Sequence, residues 1–335
     1  TIPIAAVHGM LSGIRARGIA SPVWIETQLE NAGIASSLLE EAGSRVTAEQ
    51  YTALFRLLMD RQDDEGLSFL SRRLRRGSFA LLARSALGSP SIEVALRRMA
   101  RSFRLLQDDV AMVCLRDGPL TGLGLNFSEA GAARQNFLHE LLLRVSWRLL
   151  VWLHGGRLTP CRFDFSFDMP PYAAMYTKIF PGPLQFGQPY SAVWFDSAAL
   201  AAPVRRDEQA LQAFLRAAPG NVISPRLREH AVSARVRSLL QQTSPAWPDL
   251  ATTAQTLHQS PSTLQRHLAT EGTSFQSLKD QLRRDMAIVR LNTSTVPLAA
   301  LAAEFGFADN AAFQRAFKTW TGSAPGAYRR GQTAP

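Results

Sequence analysis

The sequence predicts an α+β N-terminal domain followed by an all-α domain, the latter with two helix-turn-helix units joined by a linking helix. Three observations predict it. The first part mixes helical apolar spacing with strict apolar alternation, whereas the last part shows helical spacing only. A stretch rich in Pro, Gly and Asn separates them. A five-residue pattern, "LQRHL" at Leu264–Leu268, returns as "FQRAF" at Phe313–Phe317, each time in the same local setting.

The chain has 335 residues, enough for about two domains, and is 46% hydrophobic and 19% charged, which suits an ordinary globular core. In the first part, 47–59, 92–106 and 136–153 have helical apolar spacing. "CRFDFSF" alternates: Cys161, Phe163, Phe165 and Phe167 share one face, with Arg162, Asp164 and Ser166 on the other. That pattern predicts a half-buried strand. "SAVWFD" (Ser191 to Asp196) is a second expected strand, and Pro170-Pro171 and 180–189 read as turns and loop. "GLGLN" (Gly122 to Asn126) suits a strand or turn better than a phosphate loop.

"RAAPGNVISPRL" (Arg216 to Leu227) is the expected junction, which divides the chain into 1–217, a linker at 218–227, and 228–330. The formal net charge is +10. From Pro225 onward there are 13 Lys and Arg against 7 Asp and Glu, so the last third carries more than half of the excess. A polyanionic partner is favoured, although charge alone does not separate nucleic acid from an anionic membrane.

The first copy lies in "LATTAQTLHQSPSTLQRHLATEG". Leu250, Ala254 and Leu257 make the stripe of a short helix. Ser260 can then cap a second helix, with Pro261 at its first position, where the missing N–H costs nothing. Leu264 and Leu268 face inward, and Gly272 can end the helix. The second copy lies in "PLAALAAEFGFADNAAFQRAFKTWTG". Leu298, Leu301, Ala302 and Phe305 form its first inner face, Gly306 the tight turn, and Asp309 the cap; Phe313 and Phe317 face inward and Gly322 ends the helix.

At about 100° per residue, the face opposite Leu264 holds Ser262, Gln265, Arg266 and Ala269. The face opposite Phe313 holds Ala311, Gln314, Arg315 and Lys318, in the same register. Arg suits guanine O6 and N7, Gln suits adenine N6 and N7, and Lys suits a phosphate. On a single helix such a face is most often just solvated; the repeat in a basic segment argues for base reading. Between the copies, "SFQSLKDQLRRDMAIVRL" has helical spacing. Eighteen residues of helix span about 27 Å, which would let two reading helices enter successive major grooves about 34 Å apart.

This segment resembles the DNA-binding domain of the AraC/XylS family of bacterial transcription regulators. The motifs that carry the resemblance are the first copy, the linking helix and "PLAALAAEFGFADNAAFQRAFKTWTGSAPGAYRR". The resemblance implies base-reading positions at Ser262, Gln265 and Arg266 in the first unit and Asn310, Ala311, Gln314 and Arg315 in the second, with Lys318 beside them. Ser262 and Ala311 are small where some relatives carry larger groups. The first part is similar to the arabinose-binding-like N-terminal domain of one branch, through "RLRRGSFALLARSALGSPSIEVALRRMARSFRLLQDDV" and "YTKIFPGPLQFGQPYSAVWFDSAALAAPV". In that branch the domain senses small molecules and dimerises. The implied partners are double-stranded promoter DNA, RNA polymerase, a small-molecule effector and a second copy of the chain. The other reading is a constitutive regulator whose first domain only dimerises or meets a partner protein.

No enzyme constellation stands out. The six His form no metal-binding pair, and no nucleophile elbow or phosphate loop occurs, so neither a cofactor nor a metal is expected. Cys114 and Cys161 read as buried thiols in a reducing cytoplasm. "RRLRR" (Arg72 to Arg76) could meet an anionic ligand or DNA but reads first as a solvated helical face, and His258 and His267 read as packing or surface residues. Core packing is the default for the aromatic strand, with Phe163 and Phe165 the candidates for an effector pocket wall. No apolar run reaches the roughly 18 residues that span a bilayer, and the N-terminus lacks a signal pattern, so a cytoplasmic protein that joins the nucleoid through DNA is expected.

Overall fold

The computed structural model describes residues 1–223, 232–243 and 246–329. Residues 224–227 of the expected linker, and 228–231 and Arg330 of the expected last domain, lie outside the described residues. The chain forms two compact units: one of Ala5–Gln28 and Thr52–Pro225, the other of Thr1–Ile4, Leu29–Tyr51 and Arg226–Pro335 as far as they are described.

The first unit is α+β. Among its helices are α1 (Ala48–Gln62, which enters the unit at Thr52), α2 (Ser78–Ala86), α3 (Ile92–Leu106), α4 (Asn136–Leu153), α5 (Glu208–Ala217) and the single turn α6 (Gly220–Ile223). Its strands are β1 (Val110–Asp117), β2 (Leu120–Phe127), β3 (Arg162–Asp164), β4 (Leu184–Gln185) and β5 (Ser191–Asp196). They form one sheet in the order β1-β2-β5-β3-β4, antiparallel except for β3 and β4. Ser91 caps α3 by accepting from Val94 N–H, and Ile92, Leu96, Met99 and Phe103 bury one face of it. Helix α4 is buried nearly all round, Leu138, Leu143, Leu149 and Leu150 being at most 1% exposed, so it is the central helix of the unit.

That burial takes two charged side chains with it. Glu140 accepts a hydrogen bond from the Tyr176 hydroxyl, and burial pushes its carboxyl up to about 7. Arg144 donates to the carbonyl of Ile223 at 2.7 Å, tying α6 to α4.

Three expectations are corrected here, and the strand suggested by "GLGLN" is found within a longer element. Regular pairing in "CRFDFSF" is confined to Arg162–Asp164, and the polar face is only partly solvated: Ser166 is exposed, but Asp164 is buried, its carboxylate satisfied by Arg162 (2.8 Å) and the Trp194 indole N–H (2.6 Å). Both cysteines are exposed, Cys114 on the outer strand of the sheet and Cys161 just before β3. Arg72–Arg76 is a loop rather than a helix, since Asp64 accepts from the backbone N–H groups of Gly66, Ser68 and Leu74 and folds the chain around its carboxylate. Residues 110–127, for which only "GLGLN" suggested a strand, form a full hairpin, β1–β2.

The second unit contains α7 (Val232–Gln242), α8 (Leu250–Thr256), α9 (Pro261–Thr270), α10 (Phe275–Thr293), α11 (Leu298–Glu304) and α12 (Asn310–Thr321). Val236, Leu240, Ala254, Leu264, Leu268 and Leu282 share the core around α8 and α9. Around α11 and α12 the core is aromatic: Phe313 lies 6.1 Å from Phe305 and 5.7 Å from Phe317, and Tyr328 stands edge-on to Phe317 at 5.0 Å. At 19 residues, α10 is about 28 Å long.

Residues 29–51 join this unit although they lie some 200 residues upstream. Arg45–Val46 pairs antiparallel with Ile2–Pro3, and the Tyr328 hydroxyl accepts from Arg45 N–H at 2.8 Å and donates to Arg45 C=O at 2.9 Å. Ser44 and Ser323 share a buried hydroxyl pair at 2.9 Å.

Candidate nucleic-acid interface

Helix α9 starts where its sequence says it should. Ser260 accepts from Thr263 N–H at 3.2 Å, Pro261 takes the first position, and Gly272 follows the helix at φ +72°. With Leu264 and Leu268 fully buried, the helix has one rotational setting, and Ser262, Gln265 and Arg266 emerge exposed. Helix α12 repeats the arrangement. Asp309 accepts from Ala312 N–H at 2.6 Å, Phe313 and Phe317 are fully buried, and Ala311, Gln314, Arg315 and Lys318 are exposed. Asn310 is only half-exposed, and its Oδ1 is buried with no partner among the described residues.

The surrounding charges are organised differently. All three arginines of α10 are engaged: Arg283 with Asp280, Arg284 with Asp285, and Arg290 with Glu304 through two bonds at 3.0 and 2.9 Å. Among the described residues no ion pair engages Arg266, Arg315 or Lys318. Their charges therefore remain available to an anion or a base edge. Glu271, at the end of α9, accepts from the N–H groups of Val232 and Ser233 and so anchors the start of α7. Burial acts to raise its carboxyl, but the bonds from Ser233 and Val232 outweigh it and hold the group below its ordinary value.

Matches to known proteins bear on the same segments. Residues 25–204 match the arabinose-binding domain of AraC transcription regulators, and residues 253–331 match a helix-turn-helix domain. The chain belongs to the AraC family of transcription regulators. This AraC-type protein is 25% identical to the ornithine utilization regulator of Pseudomonas aeruginosa, over 98% of its own length and 96% of that protein's. It is 32% identical over 28% of its length to the HTH-type transcriptional regulator VqsM of the same organism. The crystal structure of the transcriptional regulator CdpR, also from P. aeruginosa, aligns over 96% of both chains at 18% identity, with a TM-score of 0.32. The AraC-type fold thus supplies a DNA-binding helix-turn-helix domain here, preceded by an arabinose-binding-like domain.

Phe163 and Phe165, the two pocket candidates, are fully buried in an aromatic cluster: Phe163 meets Phe180 at 5.1 Å, and Phe165 meets Tyr176 at 5.2 Å and Phe186 at 5.2 Å. Neither lines a cavity of this unit that lies between α1, α2, α3, α4 and α6 and has a volume of about 260 Å³. Of its lining residues, Leu74 and Arg76 belong to the "RRLRR" run, and nothing in the sequence marked the lining as a set.

Among the described residues, no group of three or more His, Cys, Asp or Glu side chains is placed to hold a metal, and no helix is long and apolar enough to cross a membrane.

Proposed function

We propose that this AraC-type regulator reads a promoter site with Ser262, Gln265 and Arg266 of the first helix-turn-helix and with Asn310, Ala311, Gln314 and Arg315 of the second, while Lys318 meets phosphate. The observation that carries this reading is the contrast in charge pairing: every arginine of α10 is engaged, whereas Arg266 and Arg315 project, exposed, from capped and fully anchored helices. Such pre-organised guanidiniums can pair with guanine without first giving up a protein partner.

The arabinose-binding-like domain, within 1–217, takes a small-molecule effector and forms the homodimer, and 218–227 carries the signal to the DNA-binding domain at 228–330. Effector binding shifts the balance between conformations that differ in DNA affinity or in contact with RNA polymerase. Likeness over almost the whole chain to a regulator named for ornithine utilization supports a role in controlling genes for the use of a small metabolite. The protein acts without catalysis of its own, in the cytoplasm.

The test is fluorescence anisotropy on DNA from upstream of its own and neighbouring genes. Arg266→Ala and Arg315→Ala each weaken binding to the cognate site by about 1–3 kcal/mol and relax base preference at one position. Unchanged affinity in both folded variants would remove α9 and α12 as the reading helices.

A further inference from the structure

The cavity between α1, α2, α3, α4 and α6 is almost wholly apolar. Phe103, Leu82 and Met112 lie at most 6% exposed in its lining, and Leu142 and Val145 of α4 form one wall. Polar groups on it are few and already engaged. Both carboxylate oxygens of Glu65 accept backbone N–H groups, from Gly77 at 2.7 Å and Phe79 at 2.6 Å, and the Arg76 guanidinium pairs with Asp60 at 3.1 Å. A zwitterionic amino acid bound here would leave an ammonium and a carboxylate without partners, at a cost of several kcal/mol.

Volume limits the occupant further. A protein cavity of about 150 Å³ holds benzene, with its six carbons. In proportion, 260 Å³ holds about ten non-hydrogen atoms. That is too little for a folded peptide segment and suited to a short alkyl chain or a substituted ring.

The remaining wall is the end of the unit. Val222 and Ile223 of α6 and Pro219 line the cavity, and α6 is held to α4 by Arg144 on the Ile223 carbonyl and Arg148 on the Asn221 carbonyl at 2.5 Å. Residue 224 follows directly, and with it the segment leading to the DNA-binding domain. An occupant therefore touches α4 and the last turn before that segment together.

We propose that this cavity is the effector site, that it takes a mainly apolar molecule of about ten non-hydrogen atoms with at most one polar end, left at the Arg76 rim, and that α6 registers its presence. This rests on the regulator reading above for its biological meaning, but its test is independent of DNA. The full chain is titrated calorimetrically with octanoate, with 1-octanol and with ornithine. Octanoate or 1-octanol binds saturably at one site per chain with a negative heat-capacity change, and ornithine does not. Val145→Phe on α4 and Ala80→Leu on α2 fill the cavity from two different elements, and whichever folds lowers that affinity at least tenfold. On saturation, amide exchange at Val222 and Ile223 slows at least threefold. Absence of saturable binding by both apolar probes, equal affinity in a folded cavity-filling variant, or unchanged exchange in α6 overturns the proposal. Arg266→Ala leaves probe binding unchanged, so failure of the DNA-reading assignment and failure of the cavity assignment give different results.

Discussion

Replacing Tyr328 with Phe removes one oxygen and keeps the ring. The ring is fully buried against Phe317, so apolar packing survives the change. The hydroxyl is what matters: it accepts from Arg45 N–H at 2.8 Å and donates to Arg45 C=O at 2.9 Å, binding both backbone groups of one residue. Arg45 lies opposite Pro3 in its short strand pair, and Pro3 has no N–H to give that carbonyl. Without the hydroxyl, a partly buried N–H and C=O lose their partner together. A net bond contributes about 1 kcal/mol, and a stranded buried group costs about 1–3 kcal/mol. Tyr328→Phe therefore loosens residues around Arg45 by about 1–3 kcal/mol, which is a factor of about 5 to 160. Hydrogen exchange measures this locally: the Arg45 amide exchanges faster by that factor, while amides of α4 in the other unit keep their rates. An Arg45 amide with wild-type protection in the variant would refute the claim that residues 29–51 are fastened to the DNA-binding unit through this hydroxyl.

Other outcomes follow from the same geometry. Gly306 and Gly322 both have positive φ, +75° and +82°, but a Cβ on Gly322 would lie 2.5 Å from the Gly43 carbonyl oxygen, whereas one on Gly306 meets nothing within 4 Å. Gly306→Ala thus costs about 1–2 kcal/mol in denaturant unfolding and Gly322→Ala clearly more, so equal costs would contradict the close approach at Gly43. Glu140, raised by burial from 4.5 to about 7, holds a proton in the folded chain that the unfolded chain has lost between about pH 4.5 and 7. Stability therefore falls as pH rises through that window and levels off above it. Glu140→Gln cannot ionise, so its stability relative to wild type improves by up to roughly 3 kcal/mol between pH 5 and pH 8; a difference that stays flat with pH would mean the carboxyl is not buried protonated. Lys318→Ala weakens binding to specific and unrelated DNA alike and lowers the salt slope by about one, which a titration of affinity against salt concentration reads directly.

The DNA-binding half was legible because its signals are local. Ser260, Pro261 and Asp309 each act on a backbone group within three residues, and Leu264, Leu268, Phe313 and Phe317 declare a face by spacing alone. The β1–β2 hairpin failed that test for a physical reason. In β2, Thr121–Leu125 is buried without interruption, so no alternation marks it, and Gly122 is there because a Cβ would come within 2.8 Å of the Trp194 ring, a residue 72 positions away. Its composition answers to a distant neighbour. Residues 29–51 were opaque in the same way: what Arg45 does depends on Tyr328, across 283 positions.

The candidate site divides along the same line. An exposed reading face follows from a helical wheel, since the buried residues fix where the others point. A cavity follows from what fails to pack, and an apolar residue beside empty space has the same local sequence signature as one beside another side chain. Phe163 and Phe165 advertised themselves by alternation, yet such a run of rings also contains its own partners, and Phe180, Tyr176 and Phe186 fill the space around them. Val145, Ala80 and Val222, on three elements spread over more than 140 positions, leave the space unfilled. Two of them, Ala80 and Val145, are small, partly exposed side chains on helices whose larger neighbours, Leu82, Leu141 and Leu142, pack inward. Small residues at cavity-facing helical positions are where added volume should cost ligand binding before it costs the fold, because the space it enters is not needed by the core.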